Sequence, residues 1–206
     1  MRGSMGQDAG VAAVSSTSDR VVEILEAACR VVVREGSHGL RMAAVAAEAG
    51  VSKALVHYYF ANRRELLRNA FSWADERWES AVDTELQAAT TGAKKVERAL
   101  LMSVDPEAPF ADHRALWNEV WSSLRFDDEL RPLVDASYRR WLRRLTALVE
   151  EGRRDGSIPR GVDGTGAAWR LAATGDGIDS MLYLGLLRPQ KARALVRAGI
   201  RHELAG

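Results

Sequence analysis

Between Arg41 and Phe60 the chain carries a lysine, a histidine and two tyrosines at a spacing that suits contact with duplex DNA. Lys53 and His57 are four residues apart, so on a helix they share one side, with Ala54 and Tyr58 beside them. Val56 and Phe60 have the same spacing and face the other way with Val51. An ammonium and an imidazole can reach phosphates and base edges, and tyrosine hydroxyls can reach sugar or phosphate. The small Ala54 lets such a helix approach a major groove closely. The pattern alone also fits an ordinary helical hairpin, with Tyr58 and Tyr59 as boundary aromatics and His57 as a surface histidine.

Several local signals would hold that short helix in place. Met42, Val45, Ala46 and Ala49 recur at helical spacing and give the preceding helix one apolar face. Gly50 ends it, because a residue without Cβ enters the left-handed region at little cost. Ser52 is placed to cap the second helix. Further on, Asn62 and Glu65 form a capping box at the start of another helix. Arg63 and Arg64 then fall in a first turn, where a cation is disfavoured unless it finds a negative partner. A phosphate would supply one.

The 206 residues leave room for a small domain joined to a larger one. Apolar residues make up 47% and charged residues 28%, the balance of a globular protein with a real core. A net charge of +1 excludes a general nucleic-acid coat, so any DNA contact needs a local basic patch. One exists: from Val51 to Ala70, Lys53, Arg63, Arg64 and Arg68 stand against the single acid Glu65. Cys29 is the only cysteine, which excludes an internal disulfide, and it is expected as a small core or boundary side chain. His38, His57, His113 and His202 are scattered and come with no hydrolase, nucleotide-binding or paired metal-ligand motif. No enzyme, metal or cofactor is therefore expected. No long apolar run or leader is present, so the expected compartment is the cytoplasm, without membrane contact.

Along the chain the expectation is all-α, with about nine helices. Residues 1–18, rich in Gly, Ala, Ser and Thr, read as a disordered tail. Residues 19–65 read as a three-helix DNA-binding domain containing a helix-turn-helix, and 66–206 as a larger helical body. After a first helix at 19–35 and the reading pair, apolar periodicity predicts helices from 62 to near 86 and over 93–103. It predicts others through Leu116–Leu124, over 130–154, 164–187 and 189–204, with Pro189 suited to a first turn. The proline-bearing run Asp105-Pro-Glu-Ala-Pro109 reads as a stiff connection.

Trp117, Trp121, Trp141 and Trp169 could simply fill a large-residue core, or could line a cavity between helices. Asn118 and Glu119 flank Trp117, while Asp176 and Asp179 interrupt an otherwise apolar helix. Carboxylates placed there need partners. Arg170 or a second subunit could provide one, and so could a cationic effector held by cation–π contacts.

The run Val45-Ala-x-x-Ala-Gly-Val-Ser-Lys-x-x-Val-x-Tyr-Tyr-Phe60, followed by Asn62-Arg-x-Glu-Leu66, resembles the N-terminal domain of the TetR family of bacterial transcriptional regulators. The resemblance covers about residues 19–71. It implies an all-helical homodimer, joined through the last two helices, that represses by binding near-palindromic double-stranded operator DNA and lets go when a small effector binds, which the residues of the body leave apolar or cationic. It also implies DNA-contact roles residue by residue: Ser52 and Lys53 near the backbone, Ala54, Leu55 and His57 at bases, and Tyr58, Tyr59 and Arg63 at sugar or phosphate. Arg41 stands where many relatives carry a capping threonine, which leaves either a weakened cap or a groove contact. For the effector the residues of the body themselves suggest the set Trp117, Asn118, Trp121, Tyr138, Trp141, Trp169 and Asp176. Beside this stands a second reading, a ligand-binding or scaffold protein of the same fold that no longer binds DNA.

Overall fold

Apolar residues recurring at three- and four-residue intervals give nearly every element here one face to bury, and the result is helices packed on helices. The structure is a computed structural model that describes residues 7–105, 111–124 and 128–205, with the side chains of 7–18, 111, 112 and 129 outside that description. Among the described residues there are nine α-helices and no strand. The connection expected at 105–109 and the loop at 125–128 lie largely outside the described residues.

The chain divides into two compact units, Met1–Asp75 with Ala115–Leu130, and Glu76–Arg114 with Arg131–Gly206. In the first, α1 (Gln7–Glu35) packs against α2 (Met42–Glu48), and α2 against α3 (Lys53–Tyr59). Ile24, Ala28, Val31 and Val32 of α1, Val45 of α2, Val56 of α3 and the following Phe60 are all buried. Arg30 and Arg34 of α1 both reach Glu48 of α2, at 2.8 Å each. Cys29 is buried there as a core side chain, its thiol 3.6 Å from the Ala70 carbonyl.

Two expectations for this unit are corrected. Helix α1 begins at Gln7, so residues 7–18, expected to be disordered, are helical. Once the later turns are packed, each added residue contributes a hydrogen bond without a new nucleation cost, and the Ala residues of that stretch favour it. The unit is also larger than 19–65. Helix α4 (Arg63–Leu86) keeps its first half in it, because Phe71 is 2% exposed and stacks on Trp117 of α6 (Ala111–Ser123) with centroids 5.5 Å apart. No local pattern could announce a contact across so much sequence.

The second unit holds α5 (Gly92–Val104), α7 (Arg131–Asp155), α8 (Gly164–Tyr183) and α9 (Pro189–Leu204) around one core. Helix α5 packs on α7, α8 and α9. Leu100, Leu145, Leu171 and Val196 are buried at its centre. Arg144 of α7 bridges Glu79 and Asp83 in the second half of α4. Helix α8 stops at Tyr183, short of the expected 187. Gly185 takes φ +70° while Leu186 N–H donates to the Met181 carbonyl at 2.9 Å and Gly185 N–H to that of Leu182 at 3.0 Å. That is a Schellman ending.

Candidate nucleic-acid interface and effector cluster

Helix α3 is built as its sequence requires. Gly50 takes φ +65°, which turns the chain out of α2. The Ser52 hydroxyl accepts from Leu55 N–H at 3.1 Å and so satisfies one of the open amides of the first turn. Val56 is wholly buried and Phe60 is 4% exposed, which fixes the rotation of the helix. That rotation leaves Ser52, Lys53, Ala54, His57 and Tyr58 exposed, with Leu55 and Tyr59 half-buried. Tyr58 is 78% exposed, far more than an aromatic ring adopts for packing, and meets Tyr59 edge-on with centroids 5.0 Å apart. One face therefore carries a cation, an imidazole and a phenol ahead of a small side chain. It can offer hydrogen bonds to base edges and charge to phosphate.

Around this face the details are mixed. Arg41 is extended at the N-terminus of α2, exposed, and makes no capping hydrogen bond. At the start of α4 the Asn62 side chain accepts from Glu65 N–H at 2.9 Å, as a capping box requires. The Glu65 carboxylate accepts from Ala61 N–H at 2.8 Å, one residue before the amide expected. Arg63 differs most. Expected at the DNA backbone, its guanidinium donates from Nε to the Leu40 carbonyl at 3.0 Å and from Nη2 to that of Ser37. A cation in a first turn needs a negative partner, and two carbonyls of its own domain supply it.

The residues expected to bind an effector fall in both compact units. Trp117, Asn118 and Trp121 lie in the unit that holds α3, where Trp117 is tilted against Trp121 with centroids 6.2 Å apart. Tyr138, Trp141, Trp169 and Asp176 lie in the other unit. There Tyr138 O–H donates to Asp176 Oδ2 at 2.5 Å, joining α7 to α8. Trp141 follows Tyr138 by one turn, and both are part-buried against the core. Trp169 is 55% exposed and stands on the outer face of α8 with Ala173, Gly177 and Ser180, apart from that pair. Arg170 pairs with Glu203 of α9 at 2.6 Å. The partner of Asp179 is Arg114, at 3.2 Å.

Sequence reasoning passed over Trp78, His113 and Arg114 as parts of this cluster. The Trp78 and His113 rings are stacked, with centroids 5.1 Å apart and planes within 2°. The residues come from α4 and α6, and nothing in either local run pointed to the other. Protein crowding disfavours the phenolate of Tyr138 and raises its pKa, and the hydrogen bond to Asp176 adds to this. The same crowding raises the Asp176 pKa, opposed by the Tyr138 hydrogen bond and reinforced by the charge of Asp179. A carboxylate in that position is poised to gain from a cation. Among the described residues no group of three or more His, Cys, Asp or Glu could hold a metal ion, and no helix is long and apolar enough to cross a membrane.

Fold and site together define a helix-turn-helix protein whose reading helix is exposed on one compact unit and whose second unit is wholly helical. Comparison with known proteins makes this more specific. Residues 24–70 match the family described as bacterial regulatory proteins, tetR family, and residues 92–205 match the BetI-type transcriptional repressor, C-terminal. The HTH-type transcriptional regulator BetI of Brucella canis is 26% identical over 187 residues, spanning 89% of this chain and 91% of its own. Two solved structures share the fold. A transcriptional regulator from Saccharomonospora viridis in complex with choline aligns with a TM-score of 0.82 at 24% identity, over 91% of this chain and 98% of its own. A TetR-family regulator from Rhodococcus sp. aligns at 0.81 and 24%, over 91% and 99%. The chain belongs to the TetR family, with a BetI-type C-terminal domain, and is a DNA-binding transcriptional repressor.

Proposed function

We propose that the repressor works as a homodimer, reads a two-fold operator with the exposed face of α3, and is released by a small cationic effector bound beside Tyr138, Trp141 and Asp176. Ala54, Leu55 and His57 carry the base reading, with Ser52, Lys53, Tyr58 and Tyr59 at the sugar-phosphate backbone. Arg41, exposed before α2, adds a phosphate or groove contact. Two copies of α3 enter successive major grooves, about one helical turn apart. The outer faces of α8 and α9 make the dimer. Support for this comes from Ala173, Gly177 and Ser180, which leave α8 a narrow exposed surface flanked by Trp169 and Leu184. Without bulky side chains two such helices can approach closely.

The observation that carries the reading is the rotation of α3, with Val56 inward and Lys53, His57 and Tyr58 outward. For the effector, the support is an aspartate whose charge is poorly compensated beside a phenol and an indole, the surroundings in which an organic cation is held by cation–π contacts. The Saccharomonospora relative, solved with choline, suits that class of molecule. Such a ligand regulates by binding the DNA-incompetent dimer more tightly than the competent one. The protein thus acts by binding, without catalysis.

Selection from randomised duplexes tests the first half. The expected product is a motif of two inverted half-sites about one turn apart, and enrichment of a single unrepeated site would sink the dimeric reading. For the second half, calorimetry compares choline with its uncharged analogue 3,3-dimethylbutanol. Choline is expected to bind and to release the selected DNA. Equal binding of the neutral analogue would remove Asp176 from the site.

A further inference from the structure

We propose that Arg63 is a positioning residue, not a phosphate contact, and that it sets the angle at which α2 and α3 are presented to DNA. This rests on the DNA-reading role given to α3 above. The turn from α1 to α2 is closed by backbone bonds, Gly39 N–H to the Gly36 carbonyl at 3.1 Å and a long one from Leu40 N–H to that of Ser37 at 3.4 Å. Gly36 takes φ +78°, Ser37–Gly39 form a single turn of 3-10 helix, and Arg41 at the N-terminus of α2 supplies no side-chain cap. Yet the turn is buried: Leu40 is fully covered and Ser37 is 3% exposed. Carbonyls in such a place need donors.

Arg63 provides them from the first residue of α4. Its Nε–H and Nη2–H lie on one edge of a planar group and reach the Leu40 and Ser37 carbonyls together. That two-point hold ties the start of α4 to the turn that leads into α2, and α2 packs directly on α3. A lysine would keep the charge but hold at a single point, because its ammonium has no fixed edge of two donors. The geometry also answers the electrostatic problem of a cation at a helix start without calling on DNA. With its paired edge occupied inside the domain, the guanidinium has no such edge left to grip a phosphate, and its direct share of counterion release is expected to be small.

The experiment uses the full-length protein, the duplex selected by the wild type, and a mixed-sequence duplex of equal length. If the wild type selects no duplex, the DNA-reading role itself fails and Arg63 is not at issue. With a selected duplex in hand, Arg63→Ala and Arg63→Lys are both expected to lose roughly tenfold in affinity for it, the scale of one charge-assisted hydrogen bond. Binding to the mixed-sequence duplex is expected to change little, so the specificity ratio falls. A general loss of fold would instead lower both affinities alike and would overturn the proposal. The slope of log affinity against log salt is expected to stay at the wild-type value. A slope flatter by about 0.9, the share of one phosphate, or wild-type affinity in Arg63→Lys, overturns the proposal. Wild-type protein gives an independent readout should neither variant fold. The NMR resonance of the Arg63 Nε–H is expected to hold its position when the selected duplex is added, and a large shift would overturn the assignment.

Discussion

The two compact units hold their functional side chains by different kinds of contact. Around α3 the decisive contacts are local: Ser52 caps Leu55 and Asn62 caps Glu65, each three residues on. In the other unit they span long stretches of sequence: Tyr138 with Asp176, Arg114 with Asp179, and Arg144 with Glu79. A local contact is written in residue type and spacing, whereas a distant one exists only after helices have packed. The reading helix should therefore respond to substitution through small, separable effects. The body should respond through its packing.

The largest expected effect lies in the body, where α5 crosses α7. A Cβ added to Gly92 would lie 2.1 Å from the backbone nitrogen of Gly152 and 2.7 Å from the Leu148 carbonyl oxygen. Backbone cannot rotate aside as a side chain does, so the helices must separate. Gly92→Ala should cost about 3 kcal/mol of stability, the upper range for overpacking, measured by chemical denaturation. A loss under about 1 kcal/mol would mean that α5 and α7 do not approach this closely and would weaken the contrast between the units.

Next in size is the reading face. His57→Ala should leave the melting temperature unchanged and remove about 2 kcal/mol of discrimination between the selected operator and its single-base variants. The measurement is competition binding at fixed salt. Unchanged preference would take His57 out of the base-reading set.

Smaller again is Gly50→Ala. No atom lies within 4 Å of where its Cβ would sit, so the cost is only that of placing an L-residue at φ +65°, about 1 kcal/mol. Against Gly92 this isolates backbone conformation from packing. A loss as large as that of Gly92→Ala would show that the turn is held by more than its local geometry.

The same division explains what the sequence made legible. The reading pair, its glycine turn, its serine cap and the all-helical class follow from periodicities within a few residues. Gly185 ended α8 early by a motif that was visible but not used. Trp117 and Trp141 look alike as tryptophans on apolar faces, and only packing gives each its neighbours, Phe71 for Trp117 and the core of the second unit for Trp141. Trp78 and His113 were passed over for the same reason. Even beside α3 the contacts of Arg63 lie beyond local spacing, because its partners Ser37 and Leu40 are the distant ones in that site.

Asp176 tests whether the body sacrifices stability for a binding site. Its carboxyl titrates above the ordinary aspartate range in the folded chain, chiefly because surrounding protein disfavours the charge. In acid below the unfolded value both states keep the proton and the group costs nothing. As pH rises through the window up to the raised folded value, the unfolded chain gives up its proton first, so stability falls and stays lower at neutral pH. Asp176→Asn removes that penalty while its amide oxygen can still accept from Tyr138. Because Asp176 lies at the surface, water screens much of the effect, and the gain should be only about a few tenths of a kcal/mol. It should appear as a slight rise in melting temperature at pH 7 that vanishes below pH of about 4, the range of an unperturbed aspartate. Choline affinity should fall in the same variant, the usual opposition between a binding carboxylate and the stability of its fold. A lower melting temperature at pH 7 would make Asp176 a structural partner of Tyr138 and nothing more.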